Sequence, residues 1–163
     1  MSHKPTRLIL TLLLILPLAA CTLSARNAQG ENWVIFSAER ASEMGIGKWV
    51  AGKDQTVEYW TPTEEDMTVL ESGLRDFLQS NSNQFLNQSE TPAWERLDEY
   101  NRQYFGITLD GKNIVYGNFF CDNAGVEWRK NIVVVMDGGD CFFQFQYDPA
   151  SGEYFNLRVN GSA

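Results

Sequence analysis

The groups in this chain that could do chemistry are carboxylates, tyrosines, lysines and cysteines. Its one histidine is His3, in the basic stretch ahead of an apolar N-terminal run, so the remainder of the chain has none. That removes the usual base near neutral pH, Ser-His-Asp and Cys-His nucleophiles and ordinary zinc sites. Two carboxylate groupings are left to weigh. Asp137 and Asp140 flank Gly138-Gly139, with Asp122 and Asn123 near them if the chain folds back. Oxygen donors of this kind suit calcium, but the run lacks the D-x-D-x-D-G spacing of a dedicated loop and reads more simply as turn chemistry. Glu127, Asp122 and Glu153 offer carboxylates for acid–base hydrolysis, yet their spacing demands no pair. Neither grouping predicts a catalytic residue, a metal or a cofactor.

A third constellation is a surface rather than a reaction centre. Cys141 to Tyr147 alternates, with Phe143 and Phe145 on one side and Gln144 and Gln146 on the other. Tyr154, Asn156 and Arg158 follow on the next alternating run. Gln144, Gln146, Tyr154 and Arg158 thus fall on one polar, partly aromatic face, extended by Tyr100, Arg102, Tyr104 and Tyr116. Tyr and Arg are frequent anchors of binding surfaces. The five tryptophans, Trp33, Trp49, Trp60, Trp94 and Trp128, are scattered and are explained by core packing as well as by sugar binding.

The elements that must position this face are three expected strands over Asn131–Gly161. Ile132–Met136 is a dense β-branched run. Asp137-Gly138-Gly139-Asp140 reads as a tight hairpin turn, which sets Met136 opposite Cys141, Val134 opposite Phe143 and Ile132 opposite Phe145. Asp148-Pro149-Ala150-Ser151-Gly152 reads as a type I turn with a left-handed residue. It sets Phe145 opposite Phe155 and Phe143 opposite Leu157, with Phe155, Leu157 and Val159 on one face.

Upstream, Tyr100–Leu109 and Lys112–Cys121 flank Asp110-Gly111, a strong hairpin signal. Thr61-Pro62-Thr63-Glu64 predicts a helix start with Thr61 as cap and Glu64 in a capping box. Met67, Leu70, Leu74, Phe77 and Leu78 continue at helical spacing. Thr91–Glu95 predicts a second, short helix through Glu99. Trp33–Phe36 is a strand or one helical turn, Ser37–Gly47 has no clear period, and Lys48–Val50 with Thr56–Trp60 suggests a small hairpin. The order predicts an α+β domain over 33–163, one main helix on a curved C-terminal antiparallel sheet of about five strands. In element order alone this is similar to cystatin-like and NTF2-like folds, which carries no function.

Residues Met1–Ala20 read as an address. His3, Lys4 and Arg7 precede the apolar run Leu8–Leu18, which has signal-peptide length and is short for a membrane span. Leu18-Ala19-Ala20-Cys21 resembles the lipobox of bacterial lipoproteins. The resemblance implies cleavage before Cys21, with lipid on its thiol and on the new amino terminus. Thr22 in place of Asp implies the outer membrane, facing the periplasm, in a Gram-negative host. Residues 21–32 then form a lipidated, flexible tether. Removing the signal takes Lys4 and Arg7 with it, which moves the formal charge from −8 to about −10. An acidic domain is a poor partner for nucleic acid. Of three cysteines, Cys21 is claimed by lipid, and Cys121 and Cys141 are expected to pair in an oxidising compartment. In a plain meander they would lie about 20 Å apart at ~3.3 Å per residue, so either residues 122–130 cross back before the Ile132 strand or both thiols stay free.

These readings converge on a lipid-anchored envelope lipoprotein. The expected role is a non-catalytic binding module for an envelope protein or ligand. The alternatives are an NTF2-like pocket between helix and sheet that binds a small ligand or turns one over, for which two or more carboxylates in a deep cavity would speak, and a purely structural envelope lipoprotein whose sheet face is solvated or covered by the N-terminal segment.

Overall fold

The computed structural model describes residues 28–52, 55–86 and 89–162. The expected signal, Cys21 and the expected tether as far as Asn27 lie outside them. The fold is α+β. Its strands are β1 (Ala28–Gln29), β2 (Trp33–Ile35), β3 (Val57–Trp60), β4 (Asn101–Leu109), β5 (Lys112–Phe120), β6 (Phe142–Asp148) and β7 (Glu153–Val159); its helices are α1 (Ala38–Met44), α2 (Gly47–Val50) and α3 (Glu64–Ser80). Seven strands form one sheet in the order β1-β2-β4-β5-β6-β7, with β3 beside β2 on the same side of β4. β2 runs parallel to Arg102–Tyr104, β3 antiparallel to Gly106–Leu109, and the other pairs are antiparallel. The sheet is therefore wider than the expected five strands.

The end of the expected tether belongs to this sheet. Ala28–Gln29 pairs with β2, and the Asn32 carbonyl accepts from Arg102 N at 2.9 Å. The Gly30 and Glu31 carbonyls accept from the Arg129 guanidinium. A tether ending at residue 32 is thus about five residues too long, because these backbone groups have partners in the sheet and in the later loop.

α3 covers one face. Its cap is Thr63, whose hydroxyl accepts from Asp66 N at 3.1 Å while Asp66 Oδ2 accepts from Thr63 N at 2.8 Å. The predicted start is two residues early because Thr61 is engaged elsewhere. Its hydroxyl accepts from Ala38 N at 2.9 Å and ties the helix entry to α1. Met67, Leu70, Leu74 and Leu78 are buried against Tyr104, Val115, Phe119, Phe143, Phe145 and Tyr147. Each such side chain contributes on the order of 1.5–3 kcal/mol. The expected short helix after Thr91 is two 3-10 turns, Ala93–Glu95 and Leu97–Glu99.

The Asp110-Gly111 hairpin is present, with φ of 51° and 77° at the two central residues and Leu109 opposite Lys112. The 48–60 hairpin is absent. Lys48–Val50 lies in α2, and Val57–Trp60 joins β4 instead. Ser37–Gly45 holds a helix that shows no clear period in the sequence, α1, capped by the Ser37 hydroxyl and closed by left-handed Gly45.

The main departure is Ile132–Met136, which is not a strand. β6 already has β5 on one side and β7 on the other, so the run cannot pair with β6 as the hairpin reading requires. Gly138 and Gly139 do take positive φ, 92° and 57°, but they lead into a 3-10 turn at Gly139–Cys141. The chain leaves β5 at Phe120, crosses the second face of the sheet and returns beside its departure point, since Phe120 pairs with Phe142. Cys121 and Cys141 close this excursion as a disulfide with Cα atoms 5.1 Å apart. The separation of a meander does not arise.

Register between β6 and β7 also differs. Phe143 opposes Val159, Gln144 opposes Arg158, and Gln146 opposes Phe155, with a bulge between them. Asn156 takes φ 51° there. Asn tolerates the left-handed region better than most residues, and the extra residue moves Phe155 off the face of Leu157 and Val159.

Candidate functional site

The excursion lies on the second sheet face as a strap, and side-chain amides hold it there. Gln103 is fully buried. Its Nε2 donates to the carbonyls of Trp128 at 2.5 Å and Asn131 at 2.8 Å, and its Oε1 accepts from Val133 N at 3.0 Å and Asn118 Nδ2 at 2.9 Å. Asn118 Nδ2 donates to Val133 O at 2.9 Å. Asn160 Nδ2 donates to Val135 O at 2.6 Å and Asp137 O at 2.9 Å. From Asn131 to Asp137, every strap residue bonded in this way is odd-numbered. In an extended chain, successive backbone groups point to opposite sides. The N–H and C=O of the even-numbered Ile132, Val134 and Met136 have no bonded partner among the described residues.

Between the strap and β7 runs a groove of about 710 Å³. Tyr116, Asn118, Gln144 and Arg158 line it, with Trp49 of α2 on its wall. Large apolar groups are exposed around it: Met136 at 89%, Trp49 at 48% and Val134 at 41%. Gln144 and Arg158 are an opposed pair on β6 and β7, and no carboxylate lies in ion-pair distance of Arg158 among the described residues. Burial pushes the Tyr116 phenol up to about 12, against an opposing pull from the Arg158 charge. The groove thus combines an uncompensated cation, an amide, a phenol and apolar walls. That set suits recognition.

The predicted face is only partly assembled. Gln144 and Arg158 share the groove. Gln146 is buried, accepts from Asn156 Nδ2 at 2.9 Å, and borders a separate depression with Phe155 and Asn156. Tyr154 is on the opposite face: it stacks on Phe77 with centroids 4.9 Å apart, and its hydroxyl donates to Leu70 O. The bulge at Asn156 reverses the alternation that would have joined Tyr154 to Arg158. Tyr100, Arg102 and Tyr104 also belong to the α3 side. Tyr100 donates to Asp140 O at 2.7 Å, Arg102 pairs with Glu71 at 3.2 Å, and Tyr104 donates to the same carboxylate. Tyr116 alone of that extension faces the groove. Trp49, Val134 and Met136 escape the sequence reading, because IVVVM has the composition of a buried strand and α2 that of a strand in a hairpin.

The carboxylate groupings do not assemble. Asp140 is buried and accepts from Leu86 N at 2.6 Å, and Asp122 accepts from Ala124 N at 2.8 Å in its own turn. Glu127 pairs with Lys130 at 2.6 Å. Glu153 opposes Asp148 at the other end of β6, about 20 Å along the strand. Among the described residues no group of three His, Cys, Asp or Glu side chains could hold a metal ion.

A second cleft, of about 350 Å³, opens beside α3 and is lined by Trp33, Glu64, Met67, Glu71, Arg102 and Tyr104. Most of its polar groups already bond to one another. Trp128 is buried in an edge-on contact with Phe120, 5.8 Å between centroids, and Arg129 covers its ring at 4.0 Å. Trp33, Trp60 and Trp94 pack against the α3-side core.

No family model matches this sequence, and neither a curated protein nor a solved structure matches it. Among the described residues no helix is long and apolar enough to cross a membrane.

Proposed function

We propose that this chain is a lipid-anchored envelope lipoprotein that works as a non-catalytic binding module, docking a protein partner in the groove beside the strap. One observation carries the reading: Met136, Val134 and Trp49 expose apolar surface around an Arg158 that has no counter-ion among the described residues. Monomeric surfaces rarely gather large apolar groups at one place without a use for them. The anchor follows from the lipobox resemblance at Leu18–Cys21. It predicts that Cys21→Ser moves the chain from the membrane fraction to the soluble fraction.

The docking claim is tested with a photo-crosslinking residue at Met136 of the full chain, and a control at Val69, which is 56% exposed on α3. In envelope extract, the Met136 probe should capture one stoichiometric partner and the Val69 probe should not. Arg158→Glu should abolish the capture. Identical capture from both positions, or capture indifferent to Arg158→Glu, contradicts this assignment.

A second reading has one observation in its favour. The cleft beside α3 presents two carboxylates, Glu64 and Glu71, under Trp33, which suits a small cationic ligand or an NTF2-like pocket. Thermal-shift screening of small amines against wild type and Glu64→Gln separates it from the groove.

A further inference from the structure

The run Asn131–Met136 poses a conflict between sequence and structure. It has the densest β-branched composition in the chain, yet it pairs with no strand. Such a conflict is a pointer to function, because most positions of a folded sequence agree with their local structure. The bonding pattern gives the conflict a direction. Residues 131, 133, 135 and 137 are tied to the sheet by Gln103, Asn118 and Asn160. Residues 132, 134 and 136 keep their backbone donors and acceptors unused among the described residues. Between the bends at Asn131 and Met136 the strap therefore has one edge bonded, through Val133 and Val135, and the other available, which is what strand addition requires.

We propose that the partner binds by adding an extended segment to the free edge of the strap, with a carboxylate of that segment on Arg158. This rests on the binding-module reading and names its ligand class: a β-extended peptide, apolar at alternate residues and acidic at the position that meets Arg158. Backbone bonds to Ile132, Val134 and Met136 would supply affinity, and side chains beside Met136 and Trp49 would supply selection. Charge argues for a different protein over a second copy. The chain carries a formal −8, so two copies repel. An acidic side chain from a partner meets a cation that no carboxylate among the described residues compensates.

The test uses defined peptides and the ¹⁵N-labelled full chain. The peptides are blocked at both ends, about six residues long as a usual strand is, and alternate Thr and Val. One carries a central Asp, one a central Lys, and a third is the Asp peptide methylated on alternate backbone nitrogens. The Asp peptide should shift the amide signals of Val134 and Met136. Methylation on the bonding edge should weaken it about tenfold or more, since it removes the donors that pair with the strap. Arg158→Glu should exchange the preference for Asp with one for Lys. On the protein side, Val134→Pro removes one donor and should weaken binding; the peptide series stands if that variant fails to fold.

Equal binding of methylated and unmethylated Asp peptides overturns strand addition and leaves a docking groove. Absence of any shift at 132–136, with the Met136 crosslink still formed, overturns it in the same way. Shifts of Val134 and Met136 that grow with protein concentration and need no peptide make the occupant a second copy and overturn the proposal.

Discussion

On the α3 face, Met67, Leu70, Leu74 and Leu78 bury a helical stripe against six aromatic and aliphatic strand residues. On the opposite face, α1 covers one part through Ala41, together with Ile46 between α1 and α2, and the remainder is closed by an irregular strap whose backbone is bonded by three amide side chains. The first closure is non-directional apolar burial, and it tolerates repacking. The second is a directional network, and an unmade bond there carries the full desolvation cost of a buried group. A helix satisfies its own backbone and offers a partner only side chains. A strap satisfied from one side still has a backbone to offer.

Removing the keystone of the strap should have the largest effect. Gln103→Leu strands Val133 N and the carbonyls of Trp128 and Asn131, at about 1–3 kcal/mol for each group left unpaired. We expect a loss of about 4 kcal/mol in urea unfolding, with the strap amides losing hydrogen-exchange protection before the α3 amides do. Joint Cys121→Ser and Cys141→Ser substitution should follow, at about 3 kcal/mol for a loop closed over a separation of 20 residues. Its exchange signature should be confined to the same face. Thr63→Ala removes the α3 cap and should cost about 1 kcal/mol, with the groove and its ligand binding unchanged.

Alkali should act through buried phenols on both faces, Tyr116 on the groove side included. Burial raises Tyr100 and Tyr154 to about 12 and Tyr104 well above its ordinary value. The folded chain therefore keeps these protons where the unfolded chain, with phenols near ~10, releases them. Stability is full below pH ~10 and falls as pH rises toward ~12, which denaturant titrations at stepped pH will show. The smallest effect is at Tyr116 on the groove side. Arg158→Ala should leave stability nearly unchanged and raise the Tyr116 phenol further, by removing the one charge that lowers it; a ¹³C titration of the ring reads this.

The α3 face is legible in the sequence because its determinants are local. Helical spacing from Met67 to Leu78, Asp110-Gly111 and Asp148–Gly152 each declare themselves within a few residues. The Cys121–Cys141 pairing is an expectation that depends on assigning Cys21 to lipid, and the structure contains that bond. The strap does not declare itself, since IVVVM reads the same whether β neighbours or amides hold it, and its anchors Gln103, Asn118 and Asn160 are distant in sequence. Half of the predicted face survives for a related reason. Gln144 and Arg158 lie on the same side of the bulge and keep their relation. Tyr154 lies beyond it, and one left-handed Asn156 sends it to the other face. Trp49 is hidden because a four-residue helix, α2, is too short to show a period.

Amide hydrogen exchange along 131–137 in the free protein decides whether the second edge of the strap is open. The N–H of Val133, bonded to buried Gln103, should exchange slowly, while Val134 and Met136 should exchange close to the rate of an unfolded chain. Protection of Val134 and Met136 equal to that of Val133 would mean that the second edge is already occupied, and would contradict the account of an edge kept open for a partner.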